Sequence, residues 1–286
     1  MRSIGNRFHS PFVGDVGSGG RQLTTRQVRE SAATPIASFR QLVEAVARLS
    51  FHNPDYFLIY RGQRRDHLIE SNATSLYPAI YRSEGSLPNA ELRSRFQTLD
   101  RAAALLHAEF RSHAIEGSAK LGKFPELTWA MLQHYEVCPT PLLDVTQSLR
   151  VAASFALERA AGDAFVFVLG FPHVHGSISY SVEEELLNIR LLSICPPDAK
   201  RPYFQEGFLV GSFPALREAK HPAQDCAARL LAKFRIAAAG FWDEQFQAIP
   251  HDALFPAEDR VRDICARVRA QLHGERRITE APGDLF

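Results

Sequence analysis

An arginine and a glycine close the apolar run Tyr56-Phe57-Leu58-Ile59-Tyr60-Arg61-Gly62-Gln63. The run reads as a buried strand. A guanidinium at the end of such a strand is a poor core group but a good grip for an anion, because its planar fork matches phosphate bidentately. Gly62 beside it lacks a Cβ and permits close backbone approach to a ligand. Further on, Leu142-Leu143-Asp144-Val145-Thr146-Gln147-Ser148 ends a second apolar run and leads into Leu149 to Ala156. That continuation has helical spacing, with Ser148 placed as its N-cap. His134, between Gln133 and Tyr135 on another helical stretch, is a candidate partner for Asp144. A carboxylate accepting from its ring would orient the imidazole and raise its pKa. Gln205-Glu206-Gly207 precedes a further apolar strand, so one of Gln205 and Glu206 should point inward.

Each of these residues also has a purely structural reading. Arg61 and Asp144 as a buried brace between strand ends would explain both, since breaking one side of such a pair costs ~3–5 kcal/mol. Asp144, Thr146 and Ser148 are residue types that make Asx turns, ST turns and caps. A lone helical His134 is a satisfied, partly buried residue in many folds, and Gln205-Glu206 fits an exposed turn. Arg64 and Arg65 fit a solvated loop.

The elements that must position these groups follow from periodicity. Ser38-Phe39-Arg40-Gln41 has the form of a capping box, and Phe39, Leu42, Val43, Val46 and Leu49 then share a helical face. Glu91 to Ala114, Glu126 to Tyr135, Leu149 to Ala161 and Glu258 to Leu272 carry further helical patterns. Ala164–Gly170, Ile189–Ile194 and Phe208–Phe213 are Val-, Ile-, Leu- and Phe-rich strands. Helices precede most strands, which predicts an α+β domain with a mixed or antiparallel sheet flanked by helices. Residues 1–34 lack periodicity and read as a flexible arm, 35–274 as a single domain, and 275–286 as a tail.

Composition narrows the classes. A chain of 286 residues, 45% hydrophobic and 23% charged, can bury a sizeable core. A net charge of +1 gives no bulk attraction to nucleic acid or an anionic membrane. No run reaches the ~20 apolar residues that span a bilayer, and the first twenty residues contain no signal-peptide core, so a cytoplasmic setting is expected. Cys138, Cys195, Cys226 and Cys265 are too scattered for a zinc site and read as reduced thiols.

With these residues in view, the chain resembles the bacterial FRG-domain proteins, named for a Phe/Tyr-Arg-Gly motif. The resemblance runs through Tyr60-Arg61-Gly62-Gln63, Leu76-Tyr77-Pro78, Glu109-Phe110-Arg111, Trp129, Gln133-His134-Tyr135 and Leu142-Leu143-Asp144. It continues through Thr146, Ser148, Ala152…Phe155-Ala156, Gln205-Glu206-Gly207-Phe208 and Ala253-Leu254-Phe255-Pro256. Glu136, Pro141 and Val145 stand where the family usually has Gly, Arg and Trp.

The motif order is also similar, more weakly, to that of ADP-ribosyltransferases, which implies an ADP-ribosyltransferase-like core. That resemblance implies that NAD is the substrate, held at its phosphate or ribose by Arg61 and Gly62. Thr146 and Ser148 would shape the nicotinamide side. Glu206 or Gln205 would face a cationic ribose, with His134 and Asp144 organising the pocket. The implied activity is ADP-ribose transfer to a protein or nucleic-acid acceptor, or NAD hydrolysis, in a toxin or defence setting and without a metal. The alternative is a nucleotide- or nucleic-acid-binding sensor without chemistry. A phosphoesterase built on His134 and Asp144 lacks a second histidine or a metal cluster beside them.

Overall fold

Apolar side chains fall into two clusters, one on each face of a single sheet, and helices pack into both. The computed structural model describes residues 1–11, 21–173 and 176–276. The elements open with β1 (Phe8–Ser10), β2 (Arg21–Leu23), α1 (Thr25–Glu30), β3 (Thr34–Ile36), α2 (Phe39–His52) and β4 (Phe57–Gln63). Then come α3 (Asn89–Ser112), α4 (Ser118–Leu121), α5 (Pro125–His134), β5 (Leu143–Thr146), α6 (Leu149–Leu157) and β6 (Ala164–Phe171). Strands β7 (Ile178–Ser181) and β8 (Leu186–Arg190) lead to the short α7 (Leu191–Ile194) and α8 (Arg201–Phe204). The chain closes with β9 (Gly207–Ser212), β10 (Leu230–Ile236), α9 (His251–Leu254) and α10 (Arg260–Arg276).

Eight strands form one sheet in the order β3-β10-β6-β4-β5-β9-β8-β7. All neighbours run antiparallel except β3 and β10, so the sheet is mixed, as the α+β reading expects. Leu143, Val145, Phe208 and Val210 join one apolar cluster with Phe39, Leu42 and Val46 of α2 and Ala152 and Ala156 of α6. Leu142, Leu209, Leu187 and Ile189 join a second cluster with α3, α5 and α10. The period of two along β5, β8 and β9 therefore separates the faces.

The helices follow their periodicity closely. Ser38 Oγ caps α2 by accepting from Gln41 N at 3.2 Å, and Phe39, Leu42, Val46 and Leu49 are buried. Val43, expected on that face, is 41% exposed. The expected strand at Ile189–Ile194 is displaced: β8 ends at Arg190, and Leu191–Ile194 turns helical as α7. No helix among the described residues is long and apolar enough to cross a membrane. None of the four cysteines is joined in a disulfide.

The expected flexible arm is instead packed over the described parts of residues 1–34. Met1, Ile4, Phe8, Leu23 and Val28 are buried in the sheet's first cluster. Ser10 Oγ donates to Leu231 O at 2.7 Å, and Arg29 pairs with Asp225 at 2.6 Å. The apolar residues are too irregularly spaced to show a period, because they come from short strands, a short helix and the segment before them, each too short to repeat. The expected tail at 275–286 lies outside the described residues from position 277 onward.

Candidate functional site

Register across the middle of the sheet gathers the candidate residues. Tyr60 of β4 pairs with Thr146 of β5, and Thr146 pairs with Gly207 of β9, so the three strands share one rim. Arg61 is half-buried there. Its Nη1 donates to the backbone oxygen of Asp144 at 2.6 Å, and its Nε donates to Gln63 Oε1 at 3.1 Å. Gln63 is itself held by donating to Arg65 O at 2.9 Å. Arg61 and Asp144 thus meet, but through a carbonyl and not as the carboxylate brace considered from sequence.

Burial is the main cause pulling the Arg61 guanidinium down to about 10; the charge of Arg82 acts in the same direction and Asp144 opposes it. At that value it stays a cation at neutral pH. Arg82, whose Nε donates to Tyr77 O at 2.8 Å, is lowered by burial against the pull of Asp144. His67 is lowered by burial and then by Arg82 and Arg61. Two guanidinium cations therefore act on the Asp144 carboxylate, while Asp66 opposes them at His67.

That carboxylate, on Asp144, is tethered by α5. Its Oδ2 accepts from Gln133 Nε2 at 2.6 Å, and Gln133 Oε1 accepts from Thr140 Oγ1 at 2.6 Å. Its Oδ1 lies 3.5 Å from His134 Nδ1. Burial pushes the Asp144 carboxyl up, but the contact and charge of His134, the Gln133 hydrogen bond and the Arg61 charge outweigh it and hold it below the ordinary carboxylate range. His134 goes the other way from expectation. Burial of the ring exceeds the opposing pull of Asp144, so its pKa is lowered and the imidazole is neutral at pH 7. Its Nε2 is buried without a hydrogen-bond partner.

This arrangement sets a pH dependence. His134, His67 and His107 all lie below the ordinary histidine value, with burial the first cause in each. A depressed native pKa means that the unfolded chain binds more protons, so stability falls as pH drops from about 6.5 towards the native values and is complete above that window. Urea melts between about pH 7.5 and 5 should show this decline, and His134→Asn should make it shallower. An unchanged slope in that variant would contradict the burial of a neutral His134.

The remaining candidates have local roles. Gly62 leaves no room for a ligand beside it: a Cβ built there would lie 1.8 Å from Ala152 O and 2.9 Å from Ala156 N. The close approach that a glycine permits is made by helix α6, which corrects the ligand-approach reading. Thr146 Oγ donates to Gln205 O at 2.8 Å and accepts from Ser148 N at 3.0 Å, locking the β5 end to the turn before β9. Ser148 caps α6 as expected, accepting from Val151 N at 3.4 Å. Gln205 is buried and donates to Leu254 O at 2.9 Å, which commits its amide to holding α9 in place of serving a reacting atom. Glu206 is exposed, with φ of 44°, and its carboxylate makes no hydrogen bond or ion pair among the described residues. The inward and outward pair thus arises at a turn and not along a strand.

Arg82 and the hydrogen bond of Thr140 to Gln133 are contributions that sequence reasoning did not assign, whereas Gln133, the neighbour of His134, does form a polar cluster with Asp144. The family model described as FRG domain matches residues 57–164. The matched segment supports the FRG family there and carries Arg61, Arg82, Gln133, His134, Asp144, Thr146 and Ser148, but stops short of Gln205 and Glu206. No curated protein and no solved structure matches the chain.

Proposed function

From an FRG segment that carries a charged, half-buried arginine beside a tethered carboxylate, we propose that the rim of β4, β5 and β9 binds a nucleotide through its phosphates. The supporting observation is the state of Arg61. Two of its nitrogens are spent on Asp144 O and Gln63, while Nη2 makes no hydrogen bond among the described residues. Arg82 adds a second charge close enough to lower Arg61. Two guanidinium groups around one carboxylate leave a net positive site, and a phosphate answers it with charge-assisted, bidentate bonds. The test is calorimetric titration with ADP and NAD. Arg61→Ala should weaken binding by roughly a hundredfold while the variant still melts cooperatively. Equal binding by the parent and Arg61→Ala would contradict the reading.

ADP-ribose transfer or NAD hydrolysis is a second reading, favoured by Glu206. Its carboxylate has no partner among the described residues, and Glu206 precedes Gly207, which stands in register with Thr146 and, across β5, with Tyr60 next to Arg61. In this reading the C1′–nitrogen bond of NAD breaks and its electrons leave with nicotinamide. The ribose carbon takes the oxygen of water or of a protein or nucleic-acid acceptor, whose proton passes to solvent. Glu206 stabilises the cationic ribose between these events, with His134 and Asp144 organising the pocket. Glu206→Gln should leave NAD affinity nearly intact and cut nicotinamide release by roughly a hundredfold or more, because only the transition state carries that charge. Undiminished release in Glu206→Gln would remove it from the mechanism.

A further inference from the structure

Asp144 keeps its carboxylate turned away from the arginine that it touches. A purely structural partner for Arg61 would present both oxygens to the guanidinium, the stronger bidentate geometry. Here Arg61 takes only the backbone oxygen of Asp144, at 2.6 Å. The carboxylate turns towards α5, with Oδ2 on Gln133 and Oδ1 facing His134. Each carboxylate oxygen offers two acceptor positions, so each keeps about one unused. The side chain is 41% exposed, whereas that of His134 is 3% exposed, so the tethered edge is buried and the opposite edge is open.

We infer that Asp144 reads the ribose hydroxyls of the bound nucleotide, an inference that rests on the phosphate-binding reading of this rim. An ionised carboxylate only accepts, so it repels a phosphate and seeks O–H or N–H donors. The donor must also lie close to the phosphate, because Arg61 sits on the carbonyl of the same residue. In a nucleotide the sugar is joined directly to the phosphate, whereas the base edge lies beyond the sugar. Two adjacent hydroxyls match two oxygens with one free acceptor position each. Thr140 and Gln133 fix the carboxylate before the ligand arrives, so little ordering remains to oppose binding.

The experiment is equilibrium titration of the full chain at neutral pH with ADP, 2′-deoxy-ADP, 3′-deoxy-ADP, GDP and pyrophosphate. ADP should bind roughly tenfold to a hundredfold more tightly than either deoxy analogue, the range for a hydrogen bond to a charged acceptor. Asp144→Asn should erase that preference while leaving pyrophosphate affinity equal or stronger, since a negative charge is removed. Equal affinity for ADP and both deoxy analogues in the parent would overturn this inference and leave phosphate binding standing; that result needs no variant to fold. A preference for GDP over ADP without any ribose effect would likewise overturn it, by assigning Asp144 to the base. Failure of both ADP and pyrophosphate to bind would overturn the phosphate-binding reading and this inference with it.

Discussion

Gly62→Ala should destabilise the protein by ~3 kcal/mol or more, a loss of roughly 6–12 °C in melting temperature for a chain of this size. The new Cβ would fall 1.8 Å from the Ala152 carbonyl oxygen and 2.8 Å from its carbon. These are helix backbone atoms, which cannot swing aside as a side-chain tip can. Helix α6 would have to lift from β4, opening the contacts of Ala152, Ala153 and Ala156, all buried in the first cluster. The lift would also draw Ser148 and Thr146 away from the turn that carries Glu206, because Thr146 Oγ joins the Gln205 carbonyl to the Ser148 amide. A Gly62→Ala variant that melts with the parent but loses nucleotide would contradict this account and return Gly62 to a ligand-facing role.

Removal of residues 1–34 should have an even larger effect. Met1, Ile4, Phe8, Leu23 and Val28 leave the core with that segment, each worth ~1.5–3 kcal/mol on burial, so the total approaches or exceeds the whole stability of an ordinary domain. Arg29 also supplies a backbone oxygen to the buried Lys233 ammonium at 3.0 Å and a guanidinium to Asp225. Losing both leaves charged groups buried with too few partners. A variant starting at Pro35 should therefore be insoluble or show no cooperative melt by circular dichroism. A melt within a few degrees of the parent would show that the segment is only loosely held.

Much of this fold is written in local patterns. The helices α2, α3, α5, α6 and α10 and the strands β4, β6 and β9 coincide with runs of period 3.6 or with apolar stretches, because one packed face controls each of them. Strand β10 escaped that logic. Lys233 in the middle of Leu230–Ile236 reads as a surface residue, and only the fold brings Thr74 Oγ1 to 2.7 Å and Asp66 Oδ2 to 3.1 Å of its ammonium. The packed N-terminal segment escaped as well, since its strands and helix are each too short to repeat.

The site divides in the same way. Arg61 and Asp144 were expected to meet because both stand at strand ends, and they do. Whether the contact uses a carboxylate or a carbonyl is a matter of side-chain direction, which spacing does not encode. Sequence shows that something approaches Gly62 closely but not whether that is a ligand or a helix. The direction of the His134 shift depends on a balance between burial and Asp144, and burial is a property of the assembled fold.

Phosphate recognition by Arg61 is the claim on which the rest depends, and a crystal structure of the full chain with ADP bound tests it most directly. The account predicts phosphate oxygens within hydrogen-bond distance of the Arg61 guanidinium, on the rim between β4 and β5. ADP bound elsewhere on the protein, with Arg61 still touching only Gln63 and the Asp144 carbonyl, would contradict it.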